Sequence, residues 1–549
     1  MSSDHCHRLR NPTTASIVGT ALLCLGALTG PALSAPAAMP QARIDIRPVA
    51  EADPGSSLAP GWQHGAFMEI FVRAFSDSDG DGIGDLRGLT QRLDYLRDLG
   101  IKGIWLMPIT RNADGDHGYA VTDFRSIDPA YGTLADFDEL IRQAHARGIG
   151  VIMDYVLNHG SAKSSMFVQA SASRKNRFRD WYLWQDPAPT GWEIWGKNPW
   201  HASPAGTFHG AFYGTFGAHM PDFNLRNPMV LRYHHDSLRF WLNRGLDGFR
   251  FDAVPHLVEN SAADWNDQAE SYALVGEIHR LLNRYRNRHM VCEATASPQV
   301  WALPQFCGSA FAFGMESKIV EAAEGKPEAV RAVARYFDTA PPGMAAFVSN
   351  HDAFTGGRLW DHLAGDEARI RLAAATYLLL PGTPFLYYGE EIGMAGAAGL
   401  SDDPKGRGPM SWTTGGGFSS GLPFRAAAAN VATHNVALES ADPASLLSFY
   451  RTMLALRNRH PAIAEGGYAS LWITDSAFAY RRNTDREEVL VLINYGLSEV
   501  PAPLTGLAGG AALRSVYPEG GAAVPVQADG SARVTLPAQS LRVFQRELK

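Results

Sequence analysis

The sequence predicts an α/β chain: a (β/α)8 TIM barrel, an irregular domain inserted after strand 3, and a C-terminal antiparallel β-sandwich domain. Three observations predict it. Apolar runs of strand length alternate with helical stretches through most of the 549 residues. Four of these runs end in an acid or an Arg or His, as parallel barrel strands do when their C-terminal tips carry reactive groups: DYVLNH (154–159), GFRFDAVPH (248–256), VCEAT (291–295) and FVSNHD (347–352). After Gly466 the rhythm changes to short alternating runs between Gly and Pro turns.

In chain order, FMEIFVRAF from Phe67 reads as strand one and leads into DSDGDGIGDLRG. There Asp77, Asp79, Asp81 and Asp85 hold positions one, three, five and nine of a loop, with Gly82 at six and Ile83 at seven. That is a calcium-loop pattern: alternate carboxylates turn inward, glycine makes the sharp turn and position seven offers its carbonyl. Gly88 stands where an EF-hand needs a bidentate Glu, so a full EF-hand is excluded and 89–99 reads as an ordinary barrel helix. IKGIWLMP (101–108) is strand two. A helix over 134–147 starts after Thr133 and stops at Gly148, and GIGVIMDYVLNH is strand three.

Residues 160–222 break the rhythm with Trp-rich irregular sequence, as expected of a long loop domain on a barrel's active face. A helix near 229–243 feeds strand four, GLDGFRFD. HMVCEA, FAFG, AAFVSNHD and PFLYYGEE follow as strands five to eight, with a helix over 369–380 before the last. The Gly-, Ala- and Ser-rich stretch 395–440 reads as a loop over the catalytic face, and 445–460 as a final amphipathic helix. The expected domains are a signal peptide (1–37), a flexible leader (38–61), the barrel (62–159 and 223–462), the inserted domain (160–222) and the C-terminal domain (463–549).

A net charge of −7 and a pI near 6.2 give no reason to expect nucleic acid or an anionic membrane as partner. Arg8 and Arg10 precede an apolar run, 15–28, that leads into small residues and prolines, the form of a secretory signal too short for a comfortable membrane span. The expectation is a monomer, secreted or periplasmic, with no membrane segment after signal removal. Cleavage would remove Cys6 and Cys24 and leave Cys292 and Cys307, either as a disulfide or as two small buried thiols.

Asp252, Glu293 and Asp352 lie on three different strands, and only a closed barrel would gather them. Clustered carboxylates without a redox cofactor point to glycoside hydrolysis. Arg250 shares a strand face with Asp252 and should lower its pKa, while burial and nearby like charge should raise that of Glu293.

The four runs, with MPDFN (220–224), resemble the ordered sequence regions of the α-amylase family, glycoside hydrolase family 13, across roughly 62–545. Within it the chain is most similar to secreted bacterial α-amylases of the intermediate, MPDLN-type group. The resemblance implies Asp252 as nucleophile, Glu293 as general acid and then base, and Asp352 as the group that stabilises the distorted sugar. His159 and His351 would bond sugar hydroxyls, Tyr119 would stack on the same ring, and His256 fits the amylase form of its region.

Asp116 and Arg407 match positions where exo-acting α-glucosidases and trehalose synthases close the cleft into a pocket; the same residues could equally form a surface ion pair. A second Ca2+, between barrel and inserted domain, is implied by Asn158 and Asp222 with the carbonyls of His256 and Leu257 and with Glu259. The implied function is a retaining α-amylase cleaving α-1,4 bonds of α-glucan or maltooligosaccharide, the small Ala253 after the nucleophile favouring that linkage. The alternatives are an exo-acting α-1,4-glucosidase or trehalose-synthase-like transglycosylase and, more remotely, an inactive carbohydrate-binding or partner-anchoring barrel.

Overall fold

The computed structural model describes residues 44–204, 210–507 and 512–547. The expected signal peptide lies outside them. Among the described residues no helix is long and apolar enough to cross a membrane.

Eight parallel strands form the barrel: β1 (Phe67–Ile70), β2 (Gly103–Leu106), β3 (Gly150–Tyr155), β4 (Gly248–Phe251), β5 (His289–Cys292), β6 (Ala310–Phe311), β7 (Met344–Ala345) and β8 (Phe385–Tyr387). Each pairs with its sequence neighbour, β8 returns to β1, and a parallel bridge from Ala346 to Pro384 joins the remaining edges. Side chains at every second position face the axis. Phe67, Trp105, Ile152, Val291, Phe311 and Phe385 fill the interior as one buried cluster. Gly103 and Gly150 make room for the aromatic rings at its floor: a Cβ would meet the Phe67 ring at 2.3 Å and the Trp62 ring at 2.2 Å respectively.

The same alternation carries polar residues one layer higher. Two positions beyond Phe67, Ile152 and Val291 stand Glu69, Asp154 and Glu293, and Arg250 lies level with Asp154 on β4. The lower layer is hydrocarbon and the upper layer is charged, so the barrel's C-terminal mouth is where the chemistry collects.

The expected helix over 89–99 is two helices, Leu86–Gln91 and Leu93–Leu99. The first is capped by the Asp85 carboxylate on the Gly88 N–H, and the backbone turns at Arg92. Strands six and seven are shorter than their apolar runs. Beyond Ala346 the chain leaves the ladder, and Asp352 N–H bonds the Asn350 side chain instead of a neighbouring strand. Residues 44–61, expected as part of a flexible leader, lie against the barrel: Asn243 bonds Ala50 O and Ala52 N, and Leu58 is buried in the floor cluster. Buried hydrocarbon and paired backbone hold in place a Pro- and Ala-rich stretch that composition alone reads as loose.

The inserted segment carries the helix Ser165–Ala172 and a small sheet of Trp184–Gln185, Ala211–Tyr213 and Trp200–Ala202. At the C-terminus, Gly467–Ile473, Ala477–Asn483, Glu487–Asn494, Ser540–Glu547 and Arg514–Tyr517 form an antiparallel sheet. It packs on a two-stranded sheet, Val500–Leu504 with Ala532–Leu536, through Leu490, Leu492, Leu504 and Leu536. The prolines of VPAPL disguise that edge strand in the sequence.

Candidate active site

A cavity of about 550 Å3 opens at the C-terminal mouth, and Asp252, Glu293 and Asp352 all line it. Tyr119, His159, His256 and Arg407 line it too. Arg250 and His351 lie just beneath, each with a side chain about 1% exposed.

Arg250 is the pivot. Its Nη1 meets Asp252 Oδ1 at 2.6 Å and Asp154 Oδ1 at 2.9 Å, and its Nη2 meets Glu293 Oε2 at 2.9 Å. One planar cation therefore spaces the two carboxyls of β4 and β5. Glu293 Oε2 also accepts the Ala253 N–H at 2.9 Å. Both donors sit on one oxygen, which leaves Oε1 as the oxygen free to carry a proton into the cavity.

Burial drives the carboxylate electrostatics. It pushes Glu293 up to about 7, against the pull of Arg250 and helped by the charges of Asp252 and Asp352. Asp252 also rises, to about 6: burial outweighs the Arg250 contact that was expected to lower it. Asp352 goes the other way. Burial opposes ionisation there, but His351 and Arg407 together hold it well below the usual carboxylate range. His351 Nε2 lies 3.1 Å from Asp352 Oδ2, and Arg407 Nη2 lies 3.1 Å from Oδ1.

His159 is buried and pressed down to about 3 by burial, so it is neutral, and its Nε2 has no hydrogen-bond partner among the described residues. His256 stacks on Trp265, ring centroids 5.2 Å apart, and burial lowers it to about 4. Trp195 and Phe354, 59% and 64% exposed, stand at the rim.

Arg407 is not a surface residue. It is 3% exposed, its Nε bonds His351 O at 2.8 Å, and its nearer acids are Asp352 and Asp403. Asp116 lies 3.8 Å from Arg407, but its closer partner is Arg425 at 2.9 Å. Asp116 does not line the cavity.

Several residues of this constellation have weak sequence signals. Glu69 is a lone acid inside the apolar run of β1, and Asp154 opens a run singled out for other residues. Arg425 sits in a Gly- and Ala-rich loop and has no signal at all. Cys292 and Cys307 are joined in a disulfide beside Glu293.

The first calcium-type loop brings ligand oxygens of Asp77, Asp79 and Asp85 within 4.8 Å of one another. Asp81 is not part of that group; its Oδ1 accepts the Ile83 N–H at 2.7 Å, turning it into its own loop. Three convergent carboxylates are a hard-oxygen set that fits Ca2+. At the other proposed position Asn158 bonds Asp222, and the Asp222 charge reaches Glu259; both acids are buried. Like charges buried together fit a divalent cation as well.

Comparison with known proteins agrees with this geometry. Residues 69–466 match the family model described as Alpha amylase, catalytic domain. The chain is 33% identical to Alpha-amylase 3 of Dictyoglomus thermophilum, over 79% of this chain and 85% of that one. It is also 33% identical to the trehalose synthase/amylase TreS of Mycobacterium tuberculosis, over 82% and 85%. Among solved structures, an α-amylase from H. orenii superposes with a TM-score of 0.75 at 32% identity, covering 88% of this chain and all of that one.

Proposed function

The chain belongs to the α-amylase family, glycoside hydrolase family 13, and from that premise we propose that it is a retaining α-amylase cleaving α-1,4 bonds of starch and maltooligosaccharides. The observation that carries the reading is the single guanidinium of Arg250 touching both Asp252 and Glu293. A shared contact of that kind suits the short carboxyl separation of retaining enzymes, about 5–5.5 Å, rather than the wider gap that admits a water.

In this mechanism ionised Asp252 attacks the anomeric carbon. Glu293 gives the proton on Oε1 to the departing glycosidic oxygen, and a covalent glycosyl–Asp252 ester forms. Glu293, now an anion, takes a proton from water, whose oxygen attacks the same carbon and releases Asp252 with net retention. Asp352 would hold sugar hydroxyls while positive charge develops on the ring, and the free Nε2 of His159 would accept or donate to another. His256 and the Tyr119 ring complete the proposed sugar contacts; His351, expected from the resemblance to bond a sugar hydroxyl, lies below the cavity with both ring nitrogens on protein groups and would act through Asp352 instead.

A second reading, an exo-acting α-1,4-glucosidase or transglycosylase, is favoured by one observation. Buried Arg407 braces Asp352, and the Asp116–Arg425 pair lies behind it, which would close one end of the cleft. A product time course on maltoheptaose blocked at its non-reducing end, with the anomer followed by NMR, tests both. Internal cuts with α-anomer release support the amylase. No cleavage of the blocked chain, with cleavage of the free one, supports the pocket. Release of the β-anomer overturns retention.

Ca2+ held by Asp77, Asp79 and Asp85, with the Ile83 carbonyl, would brace the loop after β1. A second, held by Asn158, Asp222, Glu259 and the carbonyls of His256 and Leu257, would join inserted segment to barrel. Export of a monomer belongs to the same proposal, and N-terminal sequencing of protein recovered outside the cytoplasm tests it.

A further inference from the structure

Glu69 is fully buried on β1, and Oε1 lies 2.5 Å from Nδ1 of His351. The other ring nitrogen, Nε2, faces Tyr119 Oη at 2.8 Å and Asp352 Oδ2 at 3.1 Å. The directions of these bonds follow from their neighbours. Arg250 can only donate, and its Nη1 reaches Tyr119 Oη at 3.3 Å. Ionised Asp154 can only accept, and the Tyr119 hydroxyl donates its hydrogen to Asp154 Oδ2 at 2.9 Å. Tyr119 therefore has no proton left for His351, so Nε2 must carry the hydrogen and donate it to Tyr119 and Asp352.

That leaves Nδ1 against a carboxylate at short range, with a proton between them. Among the charged groups around the ring, Glu69, Asp352 and Asp154 favour the imidazolium, while Arg250, Arg407 and His117 oppose it. Burial alone would keep the ring neutral, and it pushes the Glu69 carboxyl up, a rise that the facing His351 opposes; at the ring the charges of Asp352 and Glu69 override burial and raise His351 to about 10.

From the Glu69–His351–Asp352 alignment we infer that Glu69 is a positioning residue: its negative charge keeps His351 doubly protonated, so that Nε2–H is fixed on Asp352 and Asp352 stays ionised. The inference rests on the reading of Asp352 as the acid that holds the sugar. A strand-one acid is thereby tied to the tip of strand seven, with only β8 between the two strands, a link that sequence distance hides.

Glu69→Gln separates charge from packing, because the amide keeps the volume and the oxygen acceptor and loses only the charge. The decisive readout is 15N NMR of imidazole-labelled enzyme, with His351→Gln used to assign the signal. In the wild type the His351 ring stays doubly protonated through neutral and mildly alkaline pH. In Glu69→Gln its titration midpoint falls by at least about one pH unit, a tenfold change in proton affinity. Activity on maltooligosaccharides falls roughly 10- to 100-fold, carried by kcat, the size expected when the outer partner of a functional histidine is lost.

Glu69→Asp, which keeps the charge, retains the imidazolium signal. If His351 titrates alike in wild type and Glu69→Gln, or if both variants lose activity equally with that signal unchanged, the charge relay is overturned and Glu69 is packing only. The NMR readout needs no turnover, so a wild type inactive on every α-glucan would sink the functional reading while leaving this test standing.

Discussion

Glu293 Oε2 accepts the backbone N–H of Ala253, and Ala253 has a left-handed backbone, φ 49°. The residue after the proposed nucleophile thus both bonds the proposed acid on the next strand and turns the chain sharply away from the end of β4. Strain of this kind persists where the surroundings over-determine it, and active sites are where it gathers.

Ala253→Val should cost about 1–3 kcal/mol, because a β-branched side chain is strongly disfavoured at positive φ. Ala253→Gly should be tolerated. Thermal unfolding with activity on maltoheptaose compares them; equal stability of the Val and Gly variants would show that the turn carries no strain.

The electrostatics give a bell-shaped pH profile for kcat/KM. Asp252, as the proposed nucleophile, would work as the anion, so activity should be lost as pH falls through about 6. Glu293, as the proposed acid, would have to bring a proton, so activity should be lost as pH rises through about 7. On an aryl α-glucoside whose leaving group needs no proton, Glu293→Gln should abolish the alkaline limb and keep the acidic one. An alkaline limb that survives this substitution belongs to another group.

Asp252→Asn should lower kcat by at least about 10³-fold, the scale of losing a nucleophile. Mass spectrometry with a slow fluorinated glycosyl donor should find an adduct on the wild type and none on the variant. An adduct elsewhere in the chain reassigns the nucleophile.

Arg407→Ala removes a cation from Asp352 and opens the end of the cavity. We expect kcat/KM to fall roughly 10- to 100-fold, about 1.4–2.7 kcal/mol. The rate on blocked relative to free maltoheptaose should rise. An unchanged ratio would mean that Arg407 supports Asp352 without closing the cleft.

Chelation should lower Tm if the Asp77–Asp79–Asp85 group holds Ca2+, since a ligand at about 100 times its Kd adds about 2.7 kcal/mol to the folded state. Asp77→Asn should blunt the response. A melting curve indifferent to both chelator and added Ca2+ would reduce the group to a loop held by its own backbone bonds.

Sequence alone determined the barrel's rhythm, the inserted segment and the residues at four strand tips, because period-two alternation and apolar run length are local properties. Asp252 and Glu293 were legible for that reason. It also carried Asp116 and Arg407, though not whether they meet. What only the tertiary structure decided is which charges share space: the preference of Asp116 for Arg425, the rise of Asp252 despite Arg250, and the partnership of Glu69 with His351. Those outcomes depend on burial and on distances across a closed cylinder, and electrostatic energy is set by separation in space and exclusion of water, neither of which is written in the order of residues along a chain.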